Sequence, residues 1–212
     1  MLAPHRLGFM TKVKICGLKS AAMVQTCLNA GADYLGFNFV QTSPRFISIA
    51  EVQPLLAMAR AAGVKTVGLW QQRAALPLNH ILASGIDILQ AHGADPGPVH
   101  LPVWRAMGIS SLSDLPRAPL PYAQLLFDAK PPKGAAIEGG HGLAFDWTIL
   151  QNYTNAQPWM LAGGLRPENV AHAIEISGAL GVDVSSGVER SPGEKDANLI
   201  QDFIQAAKGA NV

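Results

Sequence analysis

The sequence predicts a closed (β/α)8 barrel, an α/β fold, with its fourth helix reduced. Three observations carry that expectation. Eight short β-branched or apolar runs alternate with helical patterns, polar or glycine-rich residues follow each run, and two glycine-rich segments stand late in the chain. A doubly wound open sheet would use fewer strands and place its glycine signal after the first one. A length of 212 residues suits one barrel, so residues 1–212 are expected to form a single domain, with residues 1–9 a loosely ordered extension.

The strands are expected at Val13–Cys16, Tyr34–Phe39, Thr66–Trp70, Ile86–Gln90, Val103–Met107, Gln124–Asp128, Trp159–Ala162 and Val182–Ser185. Helices fit at Ser20–Asn29, Ser48–Ala62, Ala75–Ala83, Pro167–Ile176 and Asp196–Ala207. Ser48 followed three residues later by Glu51 reads as a capping box, and Pro167 suits a first helical turn. After strand 4 the chain reads AHGADPGPVHLP, and Pro96, Pro98 and Pro102 leave no room for an ordinary helix. The stretch Ala129–Leu143, rich in glycine and proline, is too long for a passive connection and is expected to be a mobile substrate loop.

Composition narrows the function. Hydrophobic residues make up 49% and charged residues 15%, enough apolar material for an extended core. The formal charge is +1 and no basic block is interleaved with aromatics, so a small molecule is a better partner than nucleic acid. No run of about 18 apolar residues marks a membrane span, and the first ten residues lack a signal-peptide core. A cytoplasmic monomer with Cys16 and Cys27 as free thiols is the expectation. The six histidines show no metal-ligand spacing, so no metal is expected.

Barrel enzymes of this kind place their chemistry at the C-terminal ends of the strands. That filter selects Cys16 after strand 1, Arg45 after strand 2, Gln90 and His92 at strand 4, and Asp128 ending strand 6. Asp183, in the last strand, joins them as a substrate-binding candidate. LAGGLRPENV after strand 7 and VDVSSGVE after strand 8 fall where phosphate-binding barrels hold their anion. Gly163 and Gly164 allow close backbone approach, while Ser185, Ser186 and Gly187 add amides and hydroxyls. Plainer roles stand beside these. A cysteine closing a strand also serves as a small buried apolar group, an aspartate caps a turn, and an arginine after Pro44 is compatible with a solvated loop. His92 is read only as lining the site.

The motifs KICGL, GADYLGFNFV with TSPRFIS, Gln90-Ala91-His92-Gly93, LLFDAK, GGHG with FDW, LAGGLRPENV and VDVSSGVERSPGEKD occur in one order from Lys12 to Lys208. In that order the chain resembles the phosphoribosylanthranilate isomerases of tryptophan biosynthesis. The resemblance implies a cofactor-free Amadori rearrangement of N-(5-phosphoribosyl)anthranilate to 1-(2-carboxyphenylamino)-1-deoxyribulose 5-phosphate. It further implies Cys16 as general base, Asp128 as general acid and Arg45 as the contact for the anthranilate moiety. The proline-rich link after strand 4, Ala91, His141 and the Trp70-Gln71-Gln72 end of strand 3 depart from the family pattern.

The chemistry suits those residue types. An acid must protonate the furanose ring oxygen to open the ring to a Schiff base. A base must then take the C2′ proton to give an enolamine that tautomerises to the ketone. A carboxyl is a competent acid only while part of it is protonated, so burial is expected to raise the Asp128 pKa, and Cys16 must be activated by its surroundings. Other phosphosugar barrels share the phosphate site. An indoleglycerol-phosphate synthase needs a catalytic lysine array and a ribulose-phosphate epimerase needs metal ligands, and neither is in register here. A silent phosphate-binding barrel is the rival from another class, and it has no reason to retain both Cys16 and Asp128.

Overall fold

The structure is a computed structural model that describes residues 10–72, 75–130, 145–154 and 156–210. Eight parallel strands close on themselves in sequence order. They are β1 Lys12–Cys16, β2 Tyr34–Asn38, β3 Lys65–Gln71, β4 Ile88–His92, β5 Val103–Ile109, β6 Gln124–Ala129, β7 Trp159–Leu161 and β8 Gly181–Val184. Closure comes from β1 against β8, where Lys12, Val13, Lys14 and Ile15 stand in register with Gly181, Val182, Asp183 and Val184. A short hairpin, β9 Glu189–Ser191 and β10 Glu194–Lys195, follows β8.

Side chains alternate across each strand, so one set faces the helices and the other fills the barrel. The outward set, with Val13, Ile15, Leu35, Phe37, Phe127 and Val182 fully buried, joins the helix faces in one large core. A separate inner plug is made by Val67, Ile88, Trp104 and Met160, with Tyr34 packed edge-on to Trp104. Each such side chain removed from water contributes about 1.5–3 kcal/mol, which is why the barrel floor is solid and the rim carries the polar groups.

The helices are α1 Ala21–Ala30, α2 Ile49–Ala61, α3 Leu78–Leu82, α4 Val170–Ser177 and α5 Ala197–Gly209. Local chemistry sets their ends. Ser48 and Glu51 form the expected capping box, Asp196 accepts from the amides of Asn198 and Leu199, and Gly31 and Gly178 end α1 and α4 in the left-handed region. Pro167 lies in a turn ahead of α4 rather than inside its first turn, and α3 is only five residues long.

Two expectations need correction. β4 runs Ile88–His92 rather than Ile86–Gln90, so His92 joins Gln90 within the strand, and the two side chains meet inside the barrel. Just ahead of β4, Asp87 accepts the amide and hydroxyl of Thr66 through its carboxylate. The loss of helix also extends beyond the fourth unit. Among the described residues only a 3-10 turn at Leu112–Asp114 follows β5 and another at Trp147–Leu150 follows β6. Behind β4 the gap is bridged by Arg105, which donates to the carbonyls of Ala94 and Gly93 and lies 5.9 Å from the Tyr122 ring. Residues 131–144 of the expected substrate loop lie outside the described residues, as do His141 and residues 1–9.

Candidate active site

The rim at the C-terminal ends of the strands collects most of the residues singled out above. Cys16 ends β1 and is buried, and Asp128 lies on β6. Between them in the sheet order run β7 and β8, whose loops form a small concavity lined by Gly163, Gly164, Leu165, Ser185, Ser186 and Gly187 together with Asp128 and Asp183. The candidate acid therefore borders the candidate phosphate cradle.

Backbone geometry explains the glycines. Gly163 has φ +84°, and a Cβ there would stand 2.8 Å from Asp128 Oδ1. Gly187 has ordinary dihedrals but packs directly on the Leu165 carbonyl, so a side chain would displace one loop from the other. The two loops thus meet backbone to backbone, and the concavity between them is lined by Ser185, Ser186, Asp128 and Asp183 as well as by the glycines. Ser185 is held by donating its hydroxyl to the Cys16 carbonyl at 3.1 Å.

Cys16 sits in a charged interior. Lys14, two residues earlier on the same inward face, is fully buried, lies beside the thiol and donates to Asp183 Oδ1 at 2.8 Å. Burial pushes the Cys16 thiol up, and the charges of Lys14 and Lys195 oppose that push without cancelling it. Burial also lowers Lys14, but the charges of Asp183 and Cys16 outweigh it and leave the ammonium above its ordinary value. Cys27, packed in α1, is driven up to about 12 by burial and is an inert core thiol.

Gln90 and His92 face each other inside the barrel, Gln90 Nε2 to His92 Nε2 at 2.7 Å. Burial, with Lys14 and Arg105 adding to it, lowers His92 to about 3, so its imidazole is neutral at physiological pH. It lines a hollow over β4–β6 that also touches Tyr122 and Asp128. Gln90 Oε1 is buried without a hydrogen-bond partner among the described residues.

Arg45 is placed differently from a solvated loop arginine. Its Nε and Nη2 donate to Glu189 Oε1 and Oε2 at 2.8 and 2.9 Å, and its stem packs over Gly17, beside Cys16. The loop that carries it is braced by Asn38, whose amide donates to Ser43 Oγ, which in turn accepts the Arg45 amide. Asp183, expected to touch substrate, is paired with Lys14 while still lining the cradle. Sequence reasoning missed Lys14, Glu189 and Lys195. The one available signal was parity, since Lys14 shares the face of Cys16 two residues on.

Together the closed barrel and a rim that brings Asp128 and Cys16 beside the two glycine-bearing loops define an α/β barrel with its candidate active site at the C-terminal strand ends. The family model for N-(5'-phosphoribosyl)anthranilate (PRA) isomerase matches residues 13–206. The chain belongs to that family. It is 44% identical over 211 residues to the N-(5'-phosphoribosyl)anthranilate isomerase of Hyphomonas neptunium, covering 95% of this chain and 99% of the relative. It is 42% identical over 208 residues to that of Acidiphilium cryptum, covering 95% and 100%. Among solved structures, the phosphoribosyl anthranilate isomerase of Thermotoga maritima superposes with a TM-score of 0.79 at 33% identity over 94% of this chain and 100% of the other. A phosphoribosyl anthranilate isomerase in complex with reduced 1-(o-carboxyphenylamino)-1-deoxyribulose 5-phosphate gives 0.76 at 31% identity, over 94% and 100%.

Proposed function

We propose that this chain, an isomerase of tryptophan biosynthesis by its family, performs the Amadori rearrangement of N-(5-phosphoribosyl)anthranilate with Asp128 as general acid and Cys16 as general base. The observation that carries the reading is the shared rim. Asp128 borders the concavity between the β7 and β8 loops, and Cys16 is tied to the same loops through Ser185. A phosphate seated on the amides around Gly163, Gly164, Ser185, Ser186 and Gly187 would hold the ribose between the two groups.

In this reading Asp128 gives its proton to the ring oxygen, the C1′–O bond breaks, and the anilino nitrogen supplies the electrons that form the Schiff base. Cys16, as thiolate, takes the C2′ proton, and the electron pair moves into the C2′–C1′ bond to give the enolamine. Tautomerisation to the ketone then completes an isomerisation with no net loss of atoms. Arg45 meets the carboxylate of the aromatic ring, and Gln90, neutral His92 and Asp183 line the sugar end. The T. maritima relative is described as dimeric. For this chain we propose a monomer, supported by exposed large apolar side chains that are scattered, at Met10, Leu112 and Leu180 among the described residues. A cytoplasmic location fits two free cysteines and the lack, among the described residues, of a helix long and apolar enough to cross a membrane.

The test is an absorbance or fluorescence assay on phosphoribosylanthranilate generated in situ, without added metal or nucleotide. Wild-type protein is expected to consume the substrate and form the ketose product. Absence of turnover by folded wild-type protein would overturn the reading.

A further inference from the structure

We infer that Glu189 is a positioning residue for this reaction, a single carboxylate that orients Arg45 toward the substrate's aromatic carboxylate and, through Lys195, fixes Ser185 in the phosphate loop. The inference rests on the reading above that Arg45 meets that carboxylate and that Ser185 belongs to the anion cradle. Glu189 opens the hairpin after β8, four residues beyond Ser185 but 144 residues from Arg45. Its side chain is 3% exposed, and both oxygens are saturated. Oε1 accepts from Arg45 Nε at 2.8 Å and Lys195 Nζ at 2.7 Å, and Oε2 accepts from Arg45 Nη2 at 2.9 Å and the Gly193 amide at 3.2 Å.

The arrangement does more than neutralise charge. A bidentate fork lets a guanidinium sit in only one plane, so binding Nε and Nη2 to Glu189 turns the Nη1 edge into the remaining donor edge of Arg45. The triad carries two positive charges and one negative, so its net charge of one positive favours an anion at that edge. Lys195 passes the constraint on. Its Nζ also donates to the Ser185 carbonyl at 2.8 Å and lies 3.3 Å from the Ser185 hydroxyl, which is itself bonded to the Cys16 carbonyl. The hairpin turn completes the clamp, because Gly193, at φ +83°, packs on the Pro44 carbonyl too closely for any side chain. The carboxylate-binding arginine and the phosphate loop are therefore set by one residue.

Glu189→Asp keeps the charge, and so the balance of the buried triad, but shortens the arm by one methylene. For the purely electrostatic role this variant is a rescue, whereas for the positioning role it is not. The expected result is a KM raised by roughly tenfold to a hundredfold with kcat changed far less, since a shift of about 1 Å in a positioning group costs on that scale. Competitive inhibition by anthranilate and by inorganic phosphate should both weaken. Arg45→Ala should weaken inhibition by anthranilate alone. Wild-type KM and wild-type inhibition by both fragments in Glu189→Asp, with Arg45→Ala still impaired, would overturn the inference and leave the reading of Arg45 standing. Unaltered anthranilate inhibition in Arg45→Ala would overturn that reading, and the inference with it. Should Glu189→Asp fail to fold, Glu189→Gln combined with Lys195→Met removes one charge of each sign, and the same two inhibition constants decide in the same way.

Discussion

Asp128 and Gly163 touch across the β6–β7 seam so closely that a Cβ on Gly163 would stand 2.8 Å from Asp128 Oδ1 and 2.5 Å from the Ala129 amide nitrogen. The candidate acid and the candidate phosphate loop therefore share one close-packed surface. Gly163→Ala adds a side chain both at φ +84° and against Asp128. It should raise KM and lower kcat together, with a stability loss of about 1–3 kcal/mol from the strained dihedral. Steady-state kinetics and thermal melting check this, and wild-type values for both would show that the seam tolerates a methyl group.

Removing either proton-transfer group should act on the barrier rather than on binding. Cys16→Ala and Asp128→Asn are each expected to lower kcat by about 10²–10⁴-fold while inorganic phosphate still inhibits with its wild-type constant. A Cys16→Ala variant with unchanged kcat would remove the thiol from the mechanism.

Lys14 should matter through Cys16. Burial raises the thiol, and Lys14 is the first of the charges that oppose it. Lys14→Met removes that opposition, so the pH at which the thiol reacts with iodoacetamide should move further up, as should the limb of kcat/KM that rises with pH. An unmoved alkylation profile in folded protein would show that the buried ammonium serves Asp183 alone.

Acid should destabilise the fold over a window set by His92. The folded imidazole titrates near 3 against 6.5 when solvated, so the unfolded chain takes up its proton first as pH falls. Stability is thus complete above about pH 6.5 and declines as pH drops toward 3, by a few kcal/mol in all. Glu189, held down to about 2 against 4.5 because Arg45 and Lys195 outweigh its burial, adds a second decline at lower pH. Urea unfolding at a series of pH values should show a shallower slope between pH 6.5 and 4.5 for His92→Asn than for wild type. Equal slopes would place the acid sensitivity elsewhere.

Arg105 stands in for the absent helix behind β4, and its bonds to the Ala94 and Gly93 carbonyls satisfy groups that a helix would otherwise cover. Arg105→Met should cost about 1–3 kcal/mol of stability, the usual penalty for orphaning such acceptors, with kcat retained. A melting temperature equal to wild type would show that solvent satisfies those carbonyls instead.

The sequence by itself determined the barrel, because strand-forming runs, caps such as Ser48 with Glu51, and proline breaks are local signals that act within a few residues of the chain. It also placed Cys16 and Asp128 at strand ends, which in a parallel barrel fall on one rim by construction. Tertiary structure alone decided the rest. That Arg45 lies in the grip of Glu189, 144 residues away, and that Lys14 pairs with Asp183 inside the barrel are consequences of closure, which joins β1 to β8, while the turn of the β9–β10 hairpin brings Lys195 to Ser185. Charge pairing across a closed sheet depends on register and burial, and neither leaves a periodic trace along the chain.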